Sequence, residues 1–156
     1  MILYHGSNMP VDVIDLNKGK KGKDFGQGFY LSELYEQAYR MAELTVAKTG
    51  EGDPVVSKFV YDKEKAADLK ILRFEGYTKE WAEFIIMNRR NRTNLQAHDY
   101  DIVYGPIADD TVGATINLFL RSYIDLDELI RRLKFVVPKY QFFFATPASL
   151  LALSKV

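Results

Sequence analysis

The spacing of apolar residues changes repeatedly along this chain. Ile2-Leu3-Tyr4 is a short apolar run before His5-Gly6-Ser7, which predicts a strand entering a turn. Gly28-Phe29-Tyr30-Leu31 predicts a second short strand. The spacing then lengthens. Leu34, Ala38, Met41, Ala42 and Val46 recur at helical intervals up to Gly50. That predicts a helix over 33–48, with Ser32 as its N-cap and Gly50 at the C′ position. VVSKFVY at 55–61 predicts a strand, and 68–73 another. Trp81, Phe84, Ile85 and Asn88 share one face of a predicted helix over 78–90, and Arg89 and Arg90 near its end complement the helix dipole. YDIVYGPI at 100–107 reads as a buried strand, followed by helices over 109–122 and 125–134. Pro138 breaks the pattern; YQFFFA at 140–145 reads as a strand and 147–153 as a last short helix.

Short scattered strands with helices between them, without a regular βα alternation, make this an α+β chain rather than a doubly wound one. The length of 156 residues, without repeats or a linker, suits one domain over 1–156. Only 17–24, NKGKKGKD, stands out as a polar, glycine-rich loop.

Composition narrows the chemistry. A hydrophobic share of 47% is that of a globular chain. The absence of cysteine excludes disulfides, thiolate metal sites and cysteine nucleophiles. With 21 basic and 21 acidic residues, nucleic-acid binding through bulk charge is disfavoured, while a local basic patch stays open. Two histidines without an H-E-x-x-H spacing are too few for a histidine-rich metal site, so no metal is expected. The first residues lack a basic start and a long apolar run, and no apolar stretch reaches the roughly 18 residues of a membrane span. A cytoplasmic location and no membrane contact are therefore expected, and Asn91-Arg92-Thr93 carries no meaning as a glycosylation acceptor.

Several residues remain as candidates for chemistry. Gly26-x-Gly28 is not a dinucleotide fingerprint, because Leu31 stands where a third glycine belongs and a strand follows; nor is it a P-loop. It is either a tight turn into the core or a loop whose backbone approaches a ligand, with Tyr30 as the surface beneath that ligand. His5 beside Gly6 is either a structural histidine in a capped turn or an imidazole placed to bond a ligand hydroxyl. In YQFFFAT, Gln141 shares a strand face with Phe143 and Ala145; it either faces water at the strand end or lines a cleft. Lys18, Lys20, Lys21 and Lys23 form a solvated loop or a phosphate contact. Arg89, Arg90 and Arg92 read as helix-end residues, Asp109-Asp110 as a helix start, and Glu80 and Glu83 as solvent-facing.

Taken in order, His5-Gly6-Ser7, Phe25-Gly26-x-Gly28-x-Tyr30, a helix, and a late strand opened by a polar residue resemble the ADP-ribosyltransferase superfamily. The branch is the histidine–tyrosine one of the poly(ADP-ribose) polymerases and diphtheria-like toxins. The likeness covers about the first 42 residues, with an echo at 140–153. The whole chain is similar to an uncharacterised bacterial domain family near that superfamily, through YHGS, DFGQGFY with Gln37-Ala38, GPIADD at 105–110 and QFFFAT at 141–146. Such members are often encoded beside small helical proteins, as in toxin–antitoxin pairs.

The resemblance implies a fold of split small β-sheets with surrounding helices, and a mono-ADP-ribosyltransferase using NAD⁺ as co-substrate. It implies a macromolecular target, protein or nucleic acid, and a small helical antitoxin, for which 109–134 offers apolar surface. His5 would bond the 2′-hydroxyl of the nicotinamide ribose, the Gly6 backbone would hold the carboxamide, and Ser7 would fix that end. Tyr30 would stack on the nicotinamide, and Phe25, Gly26 and Gly28 would bring the loop close. Tyr39 stands about one position from the second tyrosine that the polymerases carry in this helix. The departure is Gln141, where the branch usually has glutamate: an amide bonds the ribose but is no base. Either the nucleophile needs no base, or Glu80, Glu83 or Asp101 supplies one, or NAD⁺ is bound without transfer. NAD⁺ hydrolysis and a non-catalytic NAD-binding or partner-binding module are the alternative functions; no arginines match those of the RNA 2′-phosphotransferases on the same fold.

Overall fold

Two small sheets meet along one pair of backbone hydrogen bonds. A computed structural model describes all 156 residues. In chain order it holds β1 (Ile2–Ser7), β2 (Phe29–Leu31), α1 (Tyr35–Thr49), β3 (Val55–Tyr61), β4 (Ile71–Arg73) and α2 (Lys79–Arg90). β5 (Ile102–Pro106), α3 (Asp110–Leu120), α4 (Leu126–Leu133), β6 (Tyr140–Phe144), α5 (Pro147–Leu150) and β7 (Leu153–Lys155) complete it. One sheet has the order β1-β3-β7, the other β2-β6-β5-β4. All pairings are antiparallel except β4 with β5. The sheets join where Tyr4 and Ser32 each donate a backbone N–H to the other's carbonyl at 2.8 Å. No helix is long and apolar enough to cross a membrane.

Alternation along the strands builds two cores, one on each face of the four-stranded sheet. Phe29, Leu31, Ile102, Phe142 and Phe144 pack with Leu3, Phe59 and Tyr61 of the other sheet. On the opposite face, Val103 and Phe143 pack with Trp81 and Ile85 of α2, Val112 and Ile116 of α3, and Leu129 and Leu133 of α4. The apolar residues of 109–134 thus turn largely into the chain's own core, which removes the argument that they await a partner.

The α+β class and most elements agree with the hydrophobic pattern. Four local expectations are corrected. His5-Gly6-Ser7 is not a turn: β1 continues through Ser7, because Val55–Ser57 of β3 supply its ladder. Ser32 does not cap α1. Its hydroxyl accepts from Leu34 N at 3.0 Å in a turn ahead of the helix, and Leu34 is the N-cap. The last helix ends at Leu150, and 153–155 form a strand on the edge of β3. Finally, the strand expected over 68–73 is only Ile71–Arg73.

Candidate functional site

The site forms where the ladder between the two sheets stops. Beyond the Tyr4–Ser32 pair, an antiparallel register would next bond Gly6 to Tyr30. That bridge does not form. Instead, His5 Nδ1 lies 2.7 Å from the Tyr30 carbonyl. A carbonyl only accepts, so Nδ1 carries the hydrogen and Nε2 of the neutral ring keeps a free lone pair. Phe29 stacks on the imidazole at 4.2 Å. Burial lowers the His5 pKa, and the bond to Tyr30 offsets this in part, so the ring is neutral at neutral pH.

Gly6 follows on the same strand. Strand alternation turns its N–H and C=O to the edge that Tyr4 uses for Ser32. The side toward α1 is closed: a Cβ on Gly6 would fall on the Ala38 carbonyl oxygen. Gly6 is therefore glycine because α1 lies flat on β1, while its peptide edge faces the opening. Ser7 lies next along β1, and its hydroxyl donates to Asn8 Oδ1 at 3.3 Å.

Tyr30 has a more constrained place than a free platform. Its hydroxyl donates to the Gly26 carbonyl at 2.7 Å and accepts from Phe25 N at 3.1 Å. Its ring lies against Phe143 at 4.8 Å. Burial raises the phenol pKa well above the ordinary range, so it stays protonated. Tyr30 thus pins the DFGQG loop to β2. The same loop is held from the far side, where Arg89 Nε donates to Asp24 Oδ1 at 2.7 Å, His98 Nε2 to the Phe25 carbonyl at 2.8 Å, and Gln96 Nε2 to the Gln27 carbonyl at 2.6 Å.

This corrects the roles expected for the loop residues. Phe25 is fully buried, so its ring is out of a ligand's reach. Gly26 has φ +108°, and Gln96 occupies the space of its missing Cβ. At Gly28 that space is taken by the Phe143 ring and the Phe144 carbonyl. At both glycines the place of a side chain is thus filled by the protein itself. Tyr39 is exposed and stacks on Tyr35, four residues back on α1, at 6.2 Å.

Gln141 stands where the sheets join. It pairs with Gly105, and the β2–β6 register carried one residue past Leu31↔Phe142 sets it beside Ser32. Its side chain is partly exposed and has no hydrogen-bond partner in the protein. Of the carboxylates proposed to stand in for glutamate, Asp101 is committed elsewhere: it accepts from Lys70 N at 2.9 Å and from the Thr146 hydroxyl at 2.7 Å. Glu80 and Glu83 are exposed on α2.

Two residues escaped the sequence reading. Glu33 directly follows Ser32, and its carboxylate lies beside the Tyr104 hydroxyl; burial first and then Glu33 raise that tyrosine's pKa. Gln37 donates to the Tyr140 carbonyl at 3.1 Å and leaves its buried Oε1 without a partner. The only signal for Gln37 was its place in the Gln37-Ala38 pair after the glycine block.

His5, Gly6, Tyr30 and Gln141 are therefore gathered around one strand junction, whereas the Phe25 ring and Tyr39 are not. Comparisons with curated proteins and with solved structures find no match. A family model described as "Protein of unknown function (DUF3990)" matches residues 1–154, and the chain belongs to that family.

Proposed function

We propose that this chain is an NAD⁺-dependent mono-ADP-ribosyltransferase acting at the strand junction. The observation that supports it most is the His5–Tyr30 contact. At 2.7 Å it holds the imidazole in one tautomer and leaves Nε2 as the ring's acceptor, on the residue next to Gly6. A lone-pair acceptor suits a ribose hydroxyl, and a paired N–H and C=O suit a carboxamide. The Tyr30 carbonyl and the partner-free amide of Gln141 stand at the same junction.

The reaction needs positioning and charge stabilisation more than covalent catalysis. The bond from the ribosyl C1 to the nicotinamide nitrogen breaks, and nicotinamide leaves neutral with the bonding pair. A lone pair of the acceptor forms the new bond to C1, and the acceptor's proton passes to solvent or to a carboxylate. Glu33 is the acid closest in register to Gln141. The toxin role and a small helical partner rest on the resemblance in the YHGS, DFGQGFY and QFFFAT blocks.

The test follows nicotinamide release and label transfer from labelled NAD⁺, with and without cell extract. Label on a macromolecule, lost in His5→Ala, supports the transferase. Gln141, being an amide, favours a second reading, a module that binds NAD⁺ without turnover. Binding with no release under any condition selects it.

A further inference from the structure

At the Phe29 end of β2, beyond the junction, lies a cavity of about 660 Å³. That is within the roughly 300–1,000 Å³ of small-ligand sites. His5, Tyr30 and Gln141 do not line it; Gly26 and Gln27 connect it to the junction. Ile14, Leu16 and Leu150 supply an apolar surface, and Asn17 and Asn94 supply amide N–H groups, while the amides of Asn91 and Gln96 are taken up by Leu95, Thr93 and Gln27. Asn88 also lines it and is 1% exposed. Its Nδ2 donates to the Phe84 carbonyl at 2.8 Å, but its Oδ1 has no partner. Such an orphan acceptor is costly to leave unpaired, and a ligand N–H would satisfy it.

The lining itself holds one base, Lys21, and one acid, Asp15; the further lysines stand on the adjoining loop, and the rim is apolar. Lys21 donates to Asn94 Oδ1, and the pKa of Lys20 on the same loop is lowered first by a hydrogen bond with Lys48 and then by the like charges of Lys48 and Lys23. None of Lys18, Lys20, Lys21, Lys23 and Lys48 has an acidic ion-pair partner. Val13 and Leu95 stand at the rim, 83% and 79% exposed.

Each part matches one part of a nucleotide. Asparagine amides pair with base edges. An apolar wall takes a base face, and unpaired lysines take phosphates. We propose that the cavity and its lysine loop bind a nucleotide unit of a single-stranded nucleic acid, held there as the acceptor for the junction site. The binding stands on the cavity alone; the acceptor role rests on the transferase reading. In that step a base or sugar lone pair forms the bond to the ribosyl C1 as nicotinamide leaves, and the acceptor's proton goes to solvent.

The test titrates the full chain into fluorescein-labelled 12-mers of single-stranded DNA and RNA and follows anisotropy against salt. Binding of either strand is expected, with a log–log salt slope of about −2 for three phosphates neutralised. Lys20→Glu with Lys23→Glu, and separately Leu95→Ser, should each weaken it at least ~10-fold with the circular dichroism unchanged. His5→Ala should bind the strand normally while losing nicotinamide release, so the two readings fail separately. Three results would overturn the proposal: no binding at low salt, equal binding of poly-glutamate, or competitive displacement of the strand by NAD⁺, which would make the cavity part of the dinucleotide site.

Discussion

Arg89 Nε donates to Asp24 Oδ1 at 2.7 Å, and the two side chains are only 21% and 16% exposed. The pair locks the glycine loop onto the end of α2, across 65 residues of sequence. Removing one partner strands the other in a place poor in water. Arg89→Met should therefore destabilise the fold by about 2–3 kcal/mol, below the full cost of a deeply buried pair. Adding Asp24→Asn should restore part of that loss. Urea unfolding of the two single variants and the double variant measures the coupling.

Gly6→Ala tests the other wall of the junction. The new methyl group meets the backbone of α1 at Ala38, which cannot rotate aside as a side chain can. A loss of about 3 kcal/mol or more is expected, at the upper end of overpacking costs. Unchanged stability would mean that α1 does not lie on β1 as described.

Glu33 and Gln141 divide the question of the base. If Glu33 receives the acceptor's proton, Glu33→Gln lowers kcat by about 10²–10³-fold with KM nearly unchanged. Gln141→Glu should then raise kcat in the Glu33→Gln background. Steady-state nicotinamide release, measured with acceptor present, gives both values. Equal kcat in wild type and Glu33→Gln would remove Glu33 from the mechanism.

Tyr30→Phe keeps the ring but frees the Gly26 carbonyl and the Phe25 N–H. The expected cost is about 1–3 kcal/mol, because two shielded backbone groups lose their partner. NAD⁺ affinity should fall less than in Tyr30→Ala, a difference that calorimetric titration resolves.

Stability should also depend on pH through His5 and His98. Burial is the main cause lowering both from the ordinary 6.5. His98 donates from Nε2 and accepts from Tyr100 N at Nδ1, so its neutral form is the one that fits. The unfolded chain takes up protons first. The stability from both groups is therefore complete above their ordinary pKa of 6.5 and declines as pH falls through it towards the lowered values. Thermal melts between about pH 8 and pH 5 should show Tm falling, with a shallower fall in His98→Gln.

Much of this was legible in the chain, for physical reasons. The face of Trp81, Phe84, Ile85 and Asn88 could be read because a helix repeats locally, and three of those four are fully shielded. β7 could not be read, since Leu153-Ser154-Lys155 is a strand only through pairing with β3, almost a hundred residues earlier. The contact of His5 with Tyr30 could not be read from spacing, because it joins two strands 25 residues apart. What packs against Gly26 and Gly28 could not be read, because sequence shows a missing side chain but not which atom fills its place. Asp24 and Arg89 carried no mutual signal at all.

The Tyr4–Ser32 pair has a mechanical consequence. Two hydrogen bonds of 2.8 Å are the whole backbone seam between the sheets, although apolar side chains span the gap behind them. A seam that short leaves the junction held mainly by side-chain packing rather than by a ladder. Beyond the Tyr4–Ser32 pair the β1 end carrying Gly6 and Ser7 is tied to β2 by the His5–Tyr30 bond and by no further ladder bond. In deuterium exchange, the Tyr4 and Ser32 amides should exchange faster than those of Val103 and Phe143 in the middle of the four-stranded sheet, and bound NAD⁺ should slow them.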